Sequence, residues 1–99
     1  MARALVLHEA DNVGTLMHPV SPGDVAEVSG RATGSIDVKQ EIPFGHKIAL
    51  RPIDAGANVI KYGQVIGTAG AAIAPGYHVH VHNVVSGRGR GDLAAKKDA

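Results

Sequence analysis

Apolar residues in this chain fall in short runs, most of them closed off by a glycine or proline. No stretch keeps an apolar residue on a 3.6-residue period for three turns, so the pattern predicts strands rather than helices. Runs rich in Val, Ile and Thr, bounded by turn residues, predict strands at 4–8, 25–32, 36–40, 47–53, 58–62 and 77–84. Asp11-Asn12 before Val13 suits the start of a brief helical turn, because both side chains can cap free backbone N–H groups. The expected class is all-β, with short strands and tight Gly/Pro turns. A weak internal echo supports it. Val20-Ser-Pro-Gly23, Ile53-Asp-Ala-Gly56 and Ile73-Ala-Pro-Gly76 each set an apolar residue three before a glycine, as a turn that delivers the chain into a strand requires.

Composition narrows the function classes more than the fold. Ninety-nine residues make one small domain, and with one Phe, two Tyr and no Trp its core must be aliphatic. So small a core leaves apolar surface that a partner or a homo-oligomer would cover. A net charge of +1 argues against nucleic acid and against an anionic membrane surface. The absence of cysteine excludes disulfides and thiolate metal sites. The N-terminal apolar run Ala4-Leu-Val-Leu7 is too short for an export signal or a membrane span, so the expectation is a cytoplasmic protein. Residues 1–85 read as the folded domain. Residues 86–99, small and charged, read as a flexible basic tail whose Arg88-Gly-Arg-Gly and Arg90-Gly-Asp92 sequences are chance products of composition.

Half of the six histidines stand at alternate positions in Tyr77-His-Val-His-Val-His-Asn83. On an unbroken strand His78, His80 and His82 would share one face and Val79 and Val81 the other. The outer two would then lie ~13 Å apart, too far to meet on one metal ion, whereas two neighbours plus a ligand from elsewhere could. Such a face is either a solvated surface or a site for a metal, an anion or an oxygen-rich ligand, since neutral imidazole both donates and accepts. Three other stretches qualify as support. Pro43-Phe-Gly45 turns the chain so that His46 and Lys47 emerge at a strand start. Lys61-Tyr62-Gly63 marks a second tight turn, with Tyr62 read as a core or interface anchor. Asp11-Asn12 could form an Asx turn.

Taken together, Asp11-Asn-Val13, Ile42-Pro-Phe-Gly-His-Lys47, Lys61-Tyr-Gly63 with Ile66-Gly67, and Gly76-Tyr-His-Val-His-Val-His-Asn83 resemble a known module. It is the SAF-type small subunit or N-terminal domain of the altronate/galactarate dehydratase family, which includes the sulfolactate sulfo-lyase small subunit. The resemblance covers residues 4–85. It implies a β-clip fold and a large catalytic subunit that supplies most of the active site, this chain ending where that larger part would begin. The activity implied is β-elimination from a small hydroxy-acid substrate, dependent on a divalent metal such as iron(II). By the same resemblance His46, His80 and His82 are candidate metal ligands, and Asp11, Asn12, His46, Lys47, Lys61 and Asn83 would bind substrate or brace its cleft. A catalytic base is not identified. The alternatives are a sulfolactate sulfo-lyase subunit, a stand-alone binding module for small anions or sugar acids, and a scaffold.

Overall fold

The computed structural model describes residues 2–86, and every regular element among them is a strand. In chain order these are β1 (Ala2–Val6), β2 (Val13–Leu16), β3 (Val25–Gly30), β4 (Gly34–Asp37), β5 (Lys47–Ala49), β6 (Asn58–Lys61), β7 (Gln64–Ala69), β8 (His78–Val79) and β9 (Val84–Ser86). They form a six-stranded sheet in the order β4-β3-β1-β2-β5-β8 and a three-stranded sheet in the order β6-β7-β9. The β1–β3 pair is parallel, joined by a crossover, and its neighbours are antiparallel. The all-β expectation holds.

One short pattern organises both sheets. An apolar residue is succeeded four positions on by a second, seven on by a glycine and ten on by a third: Leu16, Val20, Gly23, Ala26; Val38, Ile42, Gly45, Ile48; Ala49, Ile53, Gly56, Val59; Ala69, Ile73, Gly76, Val79. Every apolar member is buried. Each glycine sits at a corner with φ between 84° and 96°, a conformation costly for any residue with a Cβ. The four corners close alike, through Asp24 N–H to Ser21 O, His46 N–H to Pro43 O, Ala57 N–H to Asp54 O and Tyr77 N–H to Ala74 O. The copies are also paired, because Val20 bridges Ile42 and Ile53 bridges Ile73. The glycine N–H groups complete each pair: Gly23 donates to Val38 O and Gly45 to Leu16 O, while Gly56 donates to Ala69 O and Gly76 to Ala49 O. The hydrophobic interior divides along the same line. One cluster holds the first two copies with Ala4, and the other holds the last two with Val13. The domain is therefore two pseudo-equivalent halves, of whose four corners the echo in the sequence displayed three.

Three expectations are corrected. Residues 13–16 are not a helical turn but β2, whose Val13 and Leu16 are both buried and which pairs with β1 and β5. Asp11 does not cap a helix, because its carboxylate turns back to accept the N–H groups of Leu7 and His8. Residues 77–84 are not one strand. Asn83 breaks it by accepting the His80 N–H through Oδ1, donating Nδ2 to His78 O, and donating its own N–H to His80 O. Strand β7 has no counterpart among the expected strands, because its Gly67 reads as a turn residue. Ser86 closes β9, and the tail's remaining residues, 87–99, lie outside the described ones. Among the described residues no helix is long and apolar enough to cross a membrane.

Candidate functional site

Pairing of β5 with β8 brings the second and fourth corners together. Lys47 stands opposite Val79 and Ile48 opposite His78, so the next step outward sets His46 across from His80. Their rings stack at 3.7 Å between centroids and 14° between planes. His46 Nδ1 lies 2.9 Å from His78 Nε2, a hydrogen bond whose direction depends on the tautomers. His46, His78 and His80 each present a ring nitrogen within 4.8 Å of the others. The turn at 80–83 also draws His82 to 4.9 Å from His78, ring to ring, instead of the ~13 Å of an unbroken strand. His82 remains exposed at the edge, and His78 takes the third place in the close trio.

Two of these rings, His78 and His80, are biased towards the uncharged form. Burial, then the facing His82, His46, His80 and Lys47, holds the His78 pKa down to about 4. Burial first, then His46, Lys47 and His82, also lowers that of His80. His80 Nδ1 is shut off from solvent and has no hydrogen-bond partner among the described residues. A buried nitrogen left unpaired is costly and calls for an explanation, such as an ion or water that completes the site. Neutral imidazoles with free lone pairs are the form that ligates a divalent metal. On these grounds the donor set fits such an ion.

Beside the imidazoles lies a patch of ammonium and hydroxyl groups. Lys47 and His80 line a depression of about 200 Å³ with Ile66, Val81 and Val84. Thr15 is the cross-strand neighbour of Lys47, and its Oγ1 is 3.3 Å from the Tyr62 hydroxyl. Lys61 Nζ sits 4.7 Å from the centre of the Tyr62 ring, and burial together with the charge of Lys61 lowers the Lys47 pKa. Among the described residues the ion pair found is Arg31–Glu9, so no carboxylate there neutralises either lysine. Larger hollows of about 540 and 550 Å³, beside His18 and along β3–β4, hold no comparable cluster of ligating groups among the described residues.

The remaining sequence-predicted residues brace this arrangement. Asp11, buried, accepts the Gly63 N–H at 2.8 Å in addition to its two local bonds. Asn12 donates Nδ2 to Asn58 O and accepts the Ile60 N–H, tying β6 to the loop before β2. Both side chains are thus committed to backbone and hold the Lys61-Tyr62-Gly63 turn against the first sheet. Asn83 shapes the histidine turn in the same manner. Tyr62, expected from sequence to be a core or interface anchor, is 42% exposed and so is not part of the core. No pattern in the sequence marks Thr15, because its strand is interrupted by Gly14.

Comparison with known proteins covers nearly the same span as the described residues. The family model of the altronate/galactarate dehydratase SAF domain matches residues 2–87. The chain belongs to this family. Altronate dehydratase of Escherichia coli strain K12 is 43% identical over 77 residues, covering 78% of this chain and 15% of the relative. The Bacillus subtilis strain 168 altronate dehydratase is 39% identical over 83 residues, or 84% of this chain and 16% of the relative. The (2R)-sulfolactate sulfo-lyase subunit alpha of Chromohalobacter salexigens is 38% identical over 93 residues, covering 89% of this chain and 99% of the relative. The chain thus spans about one sixth of the dehydratases it matches and nearly the whole of the sulfo-lyase subunit. It is a SAF domain of the kind found in these dehydratases and lyases.

Proposed function

We propose that this domain is the small subunit of a cytoplasmic hydro-lyase acting on a sugar acid such as altronate or galactarate, its site completed by a large catalytic subunit. The observation that carries the reading is a close trio of imidazoles beside two lysines without carboxylate partners among the described residues. In such a reaction a base takes the proton α to the carboxylate, and the hydroxyl on the next carbon leaves as water once protonated. The enol that remains becomes a ketone. Lys47 and Lys61 bind the carboxylate and oppose the negative charge that grows on it. His46, His78 and His80 would hold a divalent ion such as iron(II), with His82 at the margin. Bound there, the ion would supply a Lewis acid for the substrate oxygens. His78, with its pKa of about 4, is too weak a base for an α-proton and serves as ligand or hydrogen-bond acceptor. Asp11, Asn12 and Asn83 keep the two turns in place.

Cobalt(II) titration of the full chain tests the metal assignment, with the visible absorption bands as readout. One equivalent should bind through imidazole and be lost in the His46→Ala, His80→Ala double variant. Binding indifferent to that change would remove the assignment. Reconstitution with the large subunit should dehydrate altronate or galactarate, whereas the chain alone should not.

A second reading, a sulfolactate sulfo-lyase subunit, is favoured by the full-length match to such a subunit. Here sulfite departs in place of water. Turnover of (2R)-sulfolactate but not of altronate by the reconstituted enzyme would select it.

A further inference from the structure

The turn between β6 and β7 puts a tyrosine where the backbone disfavours one. Lys61 pairs with Gln64, leaving Tyr62 and Gly63 as a two-residue loop with φ of 56° and 77°. Positive φ at both central positions is a type I′ turn, whose first position is best filled by Asn, Asp or Gly. Among the described residues Tyr62 is the sole non-glycine with positive φ. Strain of this sort persists where the surroundings over-determine it, and here they do. Asp11 holds the Gly63 N–H at 2.8 Å, the His8 ring closes over the Gly63 Cα, and Lys61 covers the Tyr62 ring.

The phenol is not placed to fill the core. It stays 42% exposed, and its hydroxyl lies 3.3 Å from Thr15 Oγ1, next to the two lysines. Two uncharged hydroxyls, each able to donate and accept, adjoin two ammonium groups with no carboxylate partner among the described residues. This combination suits a ligand that is anionic at one end and hydroxylated along its length.

We propose that Tyr62, with Thr15, is a specificity-determining contact that reads a hydroxyl of a polyhydroxy carboxylate whose acid end rests on Lys47 and Lys61. The assignment rests on the hydroxy-acid reading above and names which part of such a ligand this chain recognises. A pair built to hydrogen-bond a hydroxyl rejects the analogue lacking it, because its own polar groups are then left unmatched.

Two six-carbon dicarboxylates separate the possibilities: galactarate, which carries four hydroxyls, and adipate, which carries none. The full chain is titrated with each, without metal, and amide and side-chain NMR shifts of Thr15, Lys47 and Tyr62 are tracked. Galactarate should bind at least about fivefold more tightly than adipate. Tyr62→Phe should bring that ratio close to one while leaving the melting temperature within about two degrees. Tyr62→Asn should likewise abolish the preference yet raise the melting temperature by about 4 °C or more, since it relieves the turn. Equal binding of both acids by the unaltered chain would overturn hydroxyl recognition, and so would a preference that survives in Tyr62→Phe. No shift at these residues with either acid would overturn the subsite. A Tyr62→Asn variant less stable than the parent would show the phenol to be structural. Reconstituted turnover judges the lyase reading separately, so the two can fail independently.

Discussion

The four glycine corners share one backbone and differ in the two residues that come after the glycine. Gly23 leads to Asp24 and Val25, and Gly56 to Ala57 and Asn58. Gly45 leads to His46 and Lys47, and Gly76 to Tyr77 and His78. Each half of the domain thus has one chemically plain corner and one bearing imidazole. The histidine-bearing corners lead into β5 and β8, which pair with each other. The plain corners lead into β3 and β6, which lie in different sheets. Repetition built the scaffold, and strand pairing chose which two copies could share a site.

The largest expected effect tests whether equivalent corners are energetically equivalent. At Gly56 an added Cβ would meet nothing within 4 Å, so Gly56→Ala should cost only the positive-φ penalty of about 1–2 kcal/mol. At Gly76 the same atom would run into the Asp37 carbonyl oxygen, so Gly76→Ala should cost above about 4 kcal/mol, a large part of a small domain's stability. Urea unfolding measures both. Equal losses would mean that the fourth corner is no tighter than the third.

Next comes function. His46→Ala combined with His80→Ala should lower turnover of the reconstituted enzyme at least about 100-fold, or about 2.7 kcal/mol, with the fold intact by circular dichroism. Asp24 holds the place in the first corner that His46 holds in the second. Its Oδ2 accepts the Ser21 N–H at 2.8 Å, and Asp24→Ala should cost about 1 kcal/mol of stability without altering turnover. A comparable drop in both variants would deny the division between plain and active corners.

How much of this could be read from the chain depends on where glycine sits. At the corners glycine marks turns, and there the reading succeeded, with β1, β3, β4, β5 and β6 found near their places. Within strands glycine means close approach instead, and there it failed. A Cβ on Gly14 would press on Ala4 and Leu50, and one on Gly67 would strike the Val85 carbonyl, so β2 and β7 contain glycines that look like breaks. The site divides similarly. That His46 and the later histidines belong together came from family resemblance, since no spacing links positions so far apart. That His78 joins them in place of His82 depends on Asn83 folding the chain back, a side-chain bond that alternation cannot express.

A smaller effect separates the two halves. Asp11→Ala leaves the N–H groups of Leu7, His8 and Gly63 without their acceptor, at about 2 kcal/mol in total. Amide exchange should quicken at Leu7 and His8 and around 60–63, where the carboxylate holds the chain, and much less across β3 and β4. Uniform quickening would show that the halves open together.

The mildest effect is on acid stability, which the histidine corners should dominate. His78 has its pKa at about 4 in the folded chain and near the ordinary 6.5 when unfolded. Between those values the unfolded chain binds a proton that the folded chain does not. Stability from this group is therefore complete above about pH 6.5 and is lost progressively as pH falls towards 4. Water reaches much of the ring and screens the interaction, so the effect should be well below what the full shift implies. A fall of about 5 °C in melting temperature between pH 7 and 4.5 is expected, flattened in His78→Gln, which keeps a polar partner for His46 but cannot titrate. A variant that still loses stability as steeply would place the acid-sensitive group outside the two histidine corners and would deny them their share in the acid response.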